Sequence, residues 1–323
     1  MLPQRYNIDS FLDALRNPSE LYAEVGRLRD QIGFQFTHQD AIDVMAKDWD
    51  YLIILDACRY DIFEEINWIE GDLNRVVSAG SHSEEFCEHN FEGKTLYDTV
   101  YVTANAFGAR IGDGVFHELV YTGEEINDEY VGWHAFSERM EPETIYDATV
   151  EAVERHPDKR VIAHFMQPHT PYLGERAAEI RERVAEDGLI VRSRQPEKVE
   201  QYSLDDENVV VSLKEAAERG FVTNEELREV YVENLRLVLE YVEPLVSRLS
   251  GRIVITADHG EYLGEDGKLG HPKYQYAEVV REVPWLCIKS GPRPEITDTM
   301  PTGATDIDDD EITEHLRDLG YKD

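Results

Sequence analysis

Short apolar runs that end in polar residues recur along this chain, and stretches with helical spacing separate them. Tyr51-Leu52-Ile53-Ile54-Leu55 leads into Asp56, and Arg160-Val161-Ile162-Ala163-His164-Phe165 repeats the pattern. Further runs are Tyr97-Asp98-Thr99-Val100-Tyr101-Val102-Thr103, Arg252-Ile253-Val254-Ile255-Thr256-Ala257 and Val283-Pro284-Trp285-Leu286-Cys287-Ile288. Runs without polar alternation belong to strands covered on both faces. Pro284 places the first residues of the last run at an edge or outside the ladder.

Helical patterns lie between these runs at 143–156 and 223–249. The second opens on Thr223-Asn224-Glu225-Glu226, with hydroxyl and carboxylate three apart as a capping box requires. Leu227, Val230, Tyr231, Leu235, Val238, Val242, Leu245, Val246 and Leu249 then make one apolar stripe, and Pro244 is placed to kink it. Strands alternating with helices predict a three-layer α/β/α domain around a mostly parallel sheet. That domain is assigned to 48–292. Residues 1–47 read as an N-terminal helical segment, with helical spacing near 8–16, 19–31 and 39–47. The charged stretch 174–222 lacks strong strand signals and reads as an inserted cap. Residues 293–323 form a polar tail, whose acidic 306–310 precede a short helix at 311–319.

Composition changes the picture mainly through charge. The 323 residues carry 67 Asp and Glu against 32 Lys and Arg, a formal charge of −35, and only 9 of the basic residues are Lys. The acids are dispersed, and such a field repels nucleic acid and anionic membranes, which excludes both as default partners. A dispersed, Lys-poor acidic surface also points to a salt-adapted, haloarchaeal type of protein, because self-repulsion of this size needs screening. No apolar leader opens the chain and no run of about 18 apolar residues occurs, so a cytoplasmic protein without a membrane span is expected. Cys58, Cys87 and Cys287 lack metal-site spacing and read as free thiols.

The candidate chemistry gathers where strands end, the edge at which open parallel sheets bind ligands. Asp56 closes the first strand, Asp258-His259-Gly260-Glu261 follows the strand at 252–257, and His164 with Gln167-Pro168-His169 follows that at 160–165. Two carboxylates and an imidazole suit a divalent metal ion, with zinc or manganese favoured and calcium or magnesium as the harder alternatives.

The segments LIILDACRYD, HFMQPHTPY and ITADHGEYLGEDGKLGHPKY, followed by REVPWL, resemble the alkaline phosphatase and sulfatase superfamily, closest to its sulfatase-like members. The resemblance spans roughly 50–290 in the family's order and implies an alkaline phosphatase-like fold that hydrolyses phosphate or sulfate esters. The implied substrates are small-molecule, glycan or lipid-headgroup esters, with sulfuric ester hydrolysis or phospho-headgroup transfer as alternatives. A non-catalytic domain that binds metal or anions on the same fold is the alternative of another class. It implies Asp56, Asp258 and His259 as metal ligands, and His169 and His271 at the substrate oxyanion or a second metal. Arg59 is a further candidate for the substrate anion.

The family's nucleophile lies after the first strand, here within 76–86. Ser83 is the choice, since a hydroxyl opening a helix favours an anion, and Ser81 is the alternative. Ser78, Ser81 and Ser83 all equally suit turns or helix caps. The chain departs from the family in two ways. Neither Cys58, Cys87 nor Ser83 has the C/S-x-P-x-R context of sulfatases that form formylglycine. The two-metal phosphatases carry Asp four residues before the middle histidine, where this chain has Phe165. One firm metal is therefore expected.

Overall fold

The computed structural model describes residues 29, 31–34, 36, 40–123, 141–186 and 212–300. The helices expected at 8–16 and 311–319, most of that at 19–31, and 187–211 of the stretch read as an inserted cap lie outside them. The segment 40–47 is irregular and contains a turn, so no helix spans 39–47. Its chain is held from outside: the amide of Ile42 donates to Val77, and that of Val44 to the Asn90 side chain.

The elements run β1 (Tyr51–Leu55), α1 (Tyr60–Ile66), β2 (Asp72–Val77), α2 (Ser83–Asn90), β3 (Leu96–Thr103), α3 (Ala106–Gly112) and β4 (Phe116–Tyr121). After 141 come α4 (Pro142–Arg155), β5 (Arg160–Phe165), α5 (Glu175–Glu186), α6 (Leu213–Glu218) and α7 (Asn224–Arg248). The chain then forms β6 (Gly251–Thr256), β7 (Tyr262–Leu263), β8 (Leu269–Gly270), α8 (Glu278–Arg281) and β9 (Glu282–Ser290). Seven strands make one sheet in the order β2-β9-β6-β1-β5-β3-β4, and β9 alone runs against the others.

The two faces follow the alternation of the strands. Tyr51, Ile53 and Leu55 of β1 join one apolar cluster with Val230, Tyr231, Leu235 and Val238 of α7. Leu52 and Ile54 join the opposite cluster with Trp49, Phe86, Phe91, Tyr101 and Phe116. Helices therefore cover both sides, and the apolar runs are explained by burial on both faces. The capping box of α7 forms as the sequence predicts, and the helix runs on through Pro244 as one element.

Within the seven-stranded sheet two strands escape the apolar-run pattern. β2, Asp-Leu-Asn-Arg-Val-Val, is an edge strand with exposed polar positions, and β4 closes the other edge. β9 is interior and antiparallel. Pro284 pairs with Arg75 of β2, while the β6 ladder ends at the Thr256–Trp285 pair, one residue short of the proline. Its missing N–H is thus not called on by β6. Because β2, β6, β1 and β5 are parallel to one another, their carboxyl ends share one edge, where the polar clusters gather. Among the described residues no helix is long and apolar enough to cross a membrane.

Candidate active site and metal centre

Asp56, Asp258 and His259 are fully buried and bring one ligand atom each within 4.8 Å of one another. Asp56 leaves β1 in a turn where Ala57 takes a left-handed φ of 60°, which a residue with a Cβ adopts only when its surroundings enforce it. The enforcing contacts are specific. The Ala57 amide donates to Asp258 Oδ1 at 3.0 Å, Tyr231 Oη donates to the Ala57 carbonyl at 2.7 Å, and the Arg59 amide donates to Tyr231 Oη at 3.0 Å. Gly260 permits the turn after His259, since a Cβ there would stand 2.2 Å from the Val279 carbonyl oxygen.

His259 Nδ1 lies 2.8 Å from the Gly260 carbonyl. A carbonyl only accepts, so Nδ1 carries the proton and the Nε2 lone pair is free to face Asp258 at 3.4 Å and Asp56 at 3.6 Å. Asp56 Oδ1 and Asp258 Oδ2 are buried with no hydrogen-bond partner, although such oxygens demand compensation. Burial, and then the facing Asp258, push the Asp56 carboxyl well above its ordinary value. Burial works the same way on Asp258, but His259 and His164 outweigh it and hold that carboxyl down. A divalent ion would offset the repulsion between the two facing acids.

Ser83 is the first residue of α2, fully buried, with Oγ 3.2 Å from His259 Nε2 and 3.4 Å from Asp56 Oδ2. The strand β2, absent from the sequence-based reading, brings the serine here from the shared sheet edge. Ser81 faces elsewhere: Oγ donates to Glu85 at 2.8 Å and accepts from the Gln275 amide at 2.9 Å. Ser78 Oγ donates to the Asp258 carbonyl and braces the turn after β6.

His169 and His271 meet at 2.9 Å through their Nε2 atoms. His169 Nδ1 lies 2.7 Å from the Thr170 carbonyl and therefore donates, so His169 Nε2 accepts and His271 Nε2 holds the shared proton. The His271 ring stacks on His259 with centroids 4.3 Å apart. Burial first, and then His259, push His169 down to about 3 and His82 to about 2; burial pushes His164 to about 4. These imidazoles are held neutral, the state that ligates metals. Arg59 is not brought to this point. Its guanidinium pairs with Asp61 and Glu265 and takes the Glu261 backbone carbonyl.

Several residues join the site that carried no assignment from sequence. Asn105, just past β3, donates to Asp56 Oδ2 at 2.7 Å and accepts from the Gly108 amide as the cap of α3. His82 caps α2 by accepting from the Glu84 amide. Asn234 of α7 clamps the His169 loop: its Nδ2 donates to the carbonyls of Pro168, His169 and Pro171, and its Oδ1 accepts from the Leu173 amide at 3.1 Å. The signals for these were an amide immediately beyond a strand end and an amide within an apolar helical stripe.

No protein-family model matches the chain, and no curated protein does. Solved structures similar to it include the soluble domain of lipooligosaccharide phosphoethanolamine transferase A from Neisseria meningitidis, at 13% identity and a TM-score of 0.45, over 78% of this chain and 80% of that one. A putative sulfatase from Bacteroides thetaiotaomicron is similar at 13% identity and a TM-score of 0.43, covering 79% of this chain and 67% of its own. A protein in the alkaline phosphatase superfamily from Vibrio parahaemolyticus is similar at 13% identity and a TM-score of 0.42, with 79% of this chain covering 62% of that one.

Proposed function

We propose that this protein is a metal-dependent hydrolase of phosphate or sulfate esters in which Ser83 is the nucleophile. The observation that carries this reading is the convergence of Asp56, Asp258 and His259 on one buried point beside Ser83 Oγ. The orphaned oxygens of Asp56 and Asp258 and the Nε2 lone pair of His259 fit a divalent cation, zinc or manganese by their chemistry. Such an ion would polarise an ester oxygen and make a nearby hydroxyl more acidic.

The chain's own groups supply the rest. Ser83 Oγ has an acceptor for its proton at Asp56 Oδ2, 3.4 Å away. Its place at the start of α2 favours an oxyanion and an anionic ester beside it. In-line attack by Oγ on phosphorus or sulfur forms the seryl ester and releases the alcohol, and water then cleaves that ester. His271 Nε2, which holds the proton shared with His169, is placed to protonate the leaving oxygen. Ser83 lacks the sequence context for formylglycine, which favours phosphate esters over sulfate esters. Small-molecule, glycan and lipid-headgroup esters are the substrate class.

The test pairs metal content with turnover of p-nitrophenyl phosphate, its bis-ester and p-nitrophenyl sulfate. We expect tightly held metal and turnover of one ester class, with both lost in folded Asp258→Asn. A product carrying the phosphoryl group on an added alcohol reassigns the site to transfer. A folded protein that turns over none of these with zinc, manganese, magnesium or calcium refutes the reading.

A further inference from the structure

His164 is a buried imidazole that the proposed reaction does not use. It lies on the interior strand β5, paired with Ile54 of β1 and Thr103 of β3, level with the position two residues before Asp56. Its Nε2 is fully enclosed and has no hydrogen-bond partner, which a buried ring nitrogen rarely tolerates. The same is true of Asp258 Oδ2, and these two atoms face each other across 3.7 Å. Asp56 Oδ2 stands 3.9 Å from the same Nε2, but it already accepts from Asn105 at 2.7 Å.

The other ring nitrogen decides which group donates. His164 Nδ1 lies 2.8 Å from the hydroxyl of Tyr101, a side chain that is also fully buried. A phenol O–H is a better donor than an imidazole N–H, and an imidazole lone pair is a better acceptor than a phenol oxygen. Tyr101 therefore donates, Nδ1 accepts, and the ring proton stands on Nε2, aimed at the acids. Gly108 makes room for this arrangement, since a Cβ there would stand 2.2 Å from Tyr101 Oη. The Gly108 amide also donates to Asn105 Oδ1. The first turn of α3 thus backs both acids, Asp56 through Asn105 and Asp258 through Tyr101 and His164.

We propose that His164, oriented by Tyr101, is a positioning residue for the metal centre: its Nε2–H donates to Asp258 Oδ2 and holds that oxygen in its ligating orientation. Asp258 Oδ1 is already fixed by the amides of Ala57 and His259, at 3.0 and 2.9 Å, so Oδ2 is the oxygen left to be oriented. A carboxylate oxygen has two lone pairs, and Oδ2 can take one N–H and still face a cation. A closure of about 0.8 Å brings the pair to ordinary hydrogen-bond length. Hydrogen bonds behind metal-binding groups are worth about 10–100-fold in metal affinity. The inference rests on the reading of Asp56, Asp258 and His259 as metal ligands and does not require that Ser83 be the nucleophile.

The test is zinc affinity of the full-length protein, measured by competition with a chromophoric chelator. His164→Met should weaken zinc binding about 10–100-fold. Tyr101→Phe, which frees the ring without removing it, should weaken binding about fivefold. His164→Gln sets an amide N–H near the place of Nε2 and should stay within about threefold of the wild type. Circular dichroism confirms folding of each variant. A folded His164→Met with unchanged affinity overturns the proposal, and so does an equal loss in His164→Met and His164→Gln, which would mark a packing role. Nitrogen NMR of histidine-labelled wild type reads the tautomer without any variant. Protonation of His164 at Nε2 alone is expected, and protonation at Nδ1 overturns the proposal. A wild type that binds no zinc while His164 is protonated at Nε2 overturns the metal reading on which the proposal rests, a failure distinct from the others.

Discussion

Asn234→Asp tests whether α7 positions the loop after β5. The replacement is nearly isosteric, and its Oδ1 still accepts from the Leu173 amide. It removes the amide hydrogens that serve the carbonyls of Pro168, His169 and Pro171, and points an oxygen at three oxygens instead. The two lost donor hydrogens cost about 1 kcal/mol each. The new carboxyl sits in a fully buried position and relieves the clash by staying protonated. If that requires about three pKa units above its unfolded value, the further cost near neutral pH is about 4 kcal/mol. Some relaxation is expected, so we expect a loss of about 3–5 kcal/mol near pH 7, a large part of an ordinary domain's stability. The sign with pH follows from the raised folded pKa. The protonation penalty is absent below the unfolded value of about 4 and grows as pH rises above it. Guanidinium unfolding followed by circular dichroism, at about pH 5 and about pH 7.5, measures both parts. Turnover should fall at least about tenfold, because the loop carries His169, while metal at Asp56, Asp258 and His259 is retained. A penalty below about 1 kcal/mol that does not change with pH would refute the clamp.

Ser83→Ala should lower turnover by roughly a thousandfold or more with metal retained, and Ser81→Ala by less than about tenfold; steady-state kinetics with elemental analysis decides between the serines. Tyr231→Phe removes two of the three bonds that hold the Ala57 turn and should cost about 2 kcal/mol in a denaturant titration, with weaker metal retention. Glu226 in the α7 capping box is held down to about 2 by Arg183 first and then by Thr223. A depressed folded value gives stability that is present above about 4.5 and lost as pH falls toward 2, so Glu226→Gln should cost up to about 1 kcal/mol near neutrality after solvent screening and nothing near pH 2. The formal charge of −35 predicts that melting temperature rises steeply with added salt, since the Debye length falls from about 30 Å at 0.01 M to about 3 Å at 1 M.

The legible parts of the fold were those whose physics is local. β1, β5 and β6 read as apolar runs because nearly every position is covered from both sides. β2 was illegible because its pattern is that of a half-exposed edge, and its partner in β9 is about 210 residues away in the chain. The antiparallel direction of β9 leaves no mark in composition; only the pairing sets it. At the site, Asp56, Asp258 and His259 were legible as polar residues at strand ends. Ser83 was preferred to Ser81 because a hydroxyl opening a helix favours an anion, and the two hydroxyls face different partners. Arg59 looked like an anion ligand because sequence does not show that Asp61 and Glu265 already hold it.

Asn234 shows what the longest helix does beyond covering the sheet. Position 234 falls seven residues after Leu227, on the stripe that otherwise carries Val230, Tyr231, Leu235 and Val238. A polar amide there is destabilising as packing and intelligible only with partners. Those partners are loop backbone atoms, and the Tyr231 hydroxyl three residues earlier does the same for the turn at Ala57. Residues three apart share a helix face, so one rigid element holds both the turn after β1 and the loop after β5. Asp56 and the two-histidine cluster are therefore registered to each other through α7 as well as through the sheet. This registry explains why polar groups are kept inside an otherwise apolar seam. Apolar residues at 231 and 234 would bury well, but they would leave two loops free to move relative to one another at the edge where the buried acids and histidines meet.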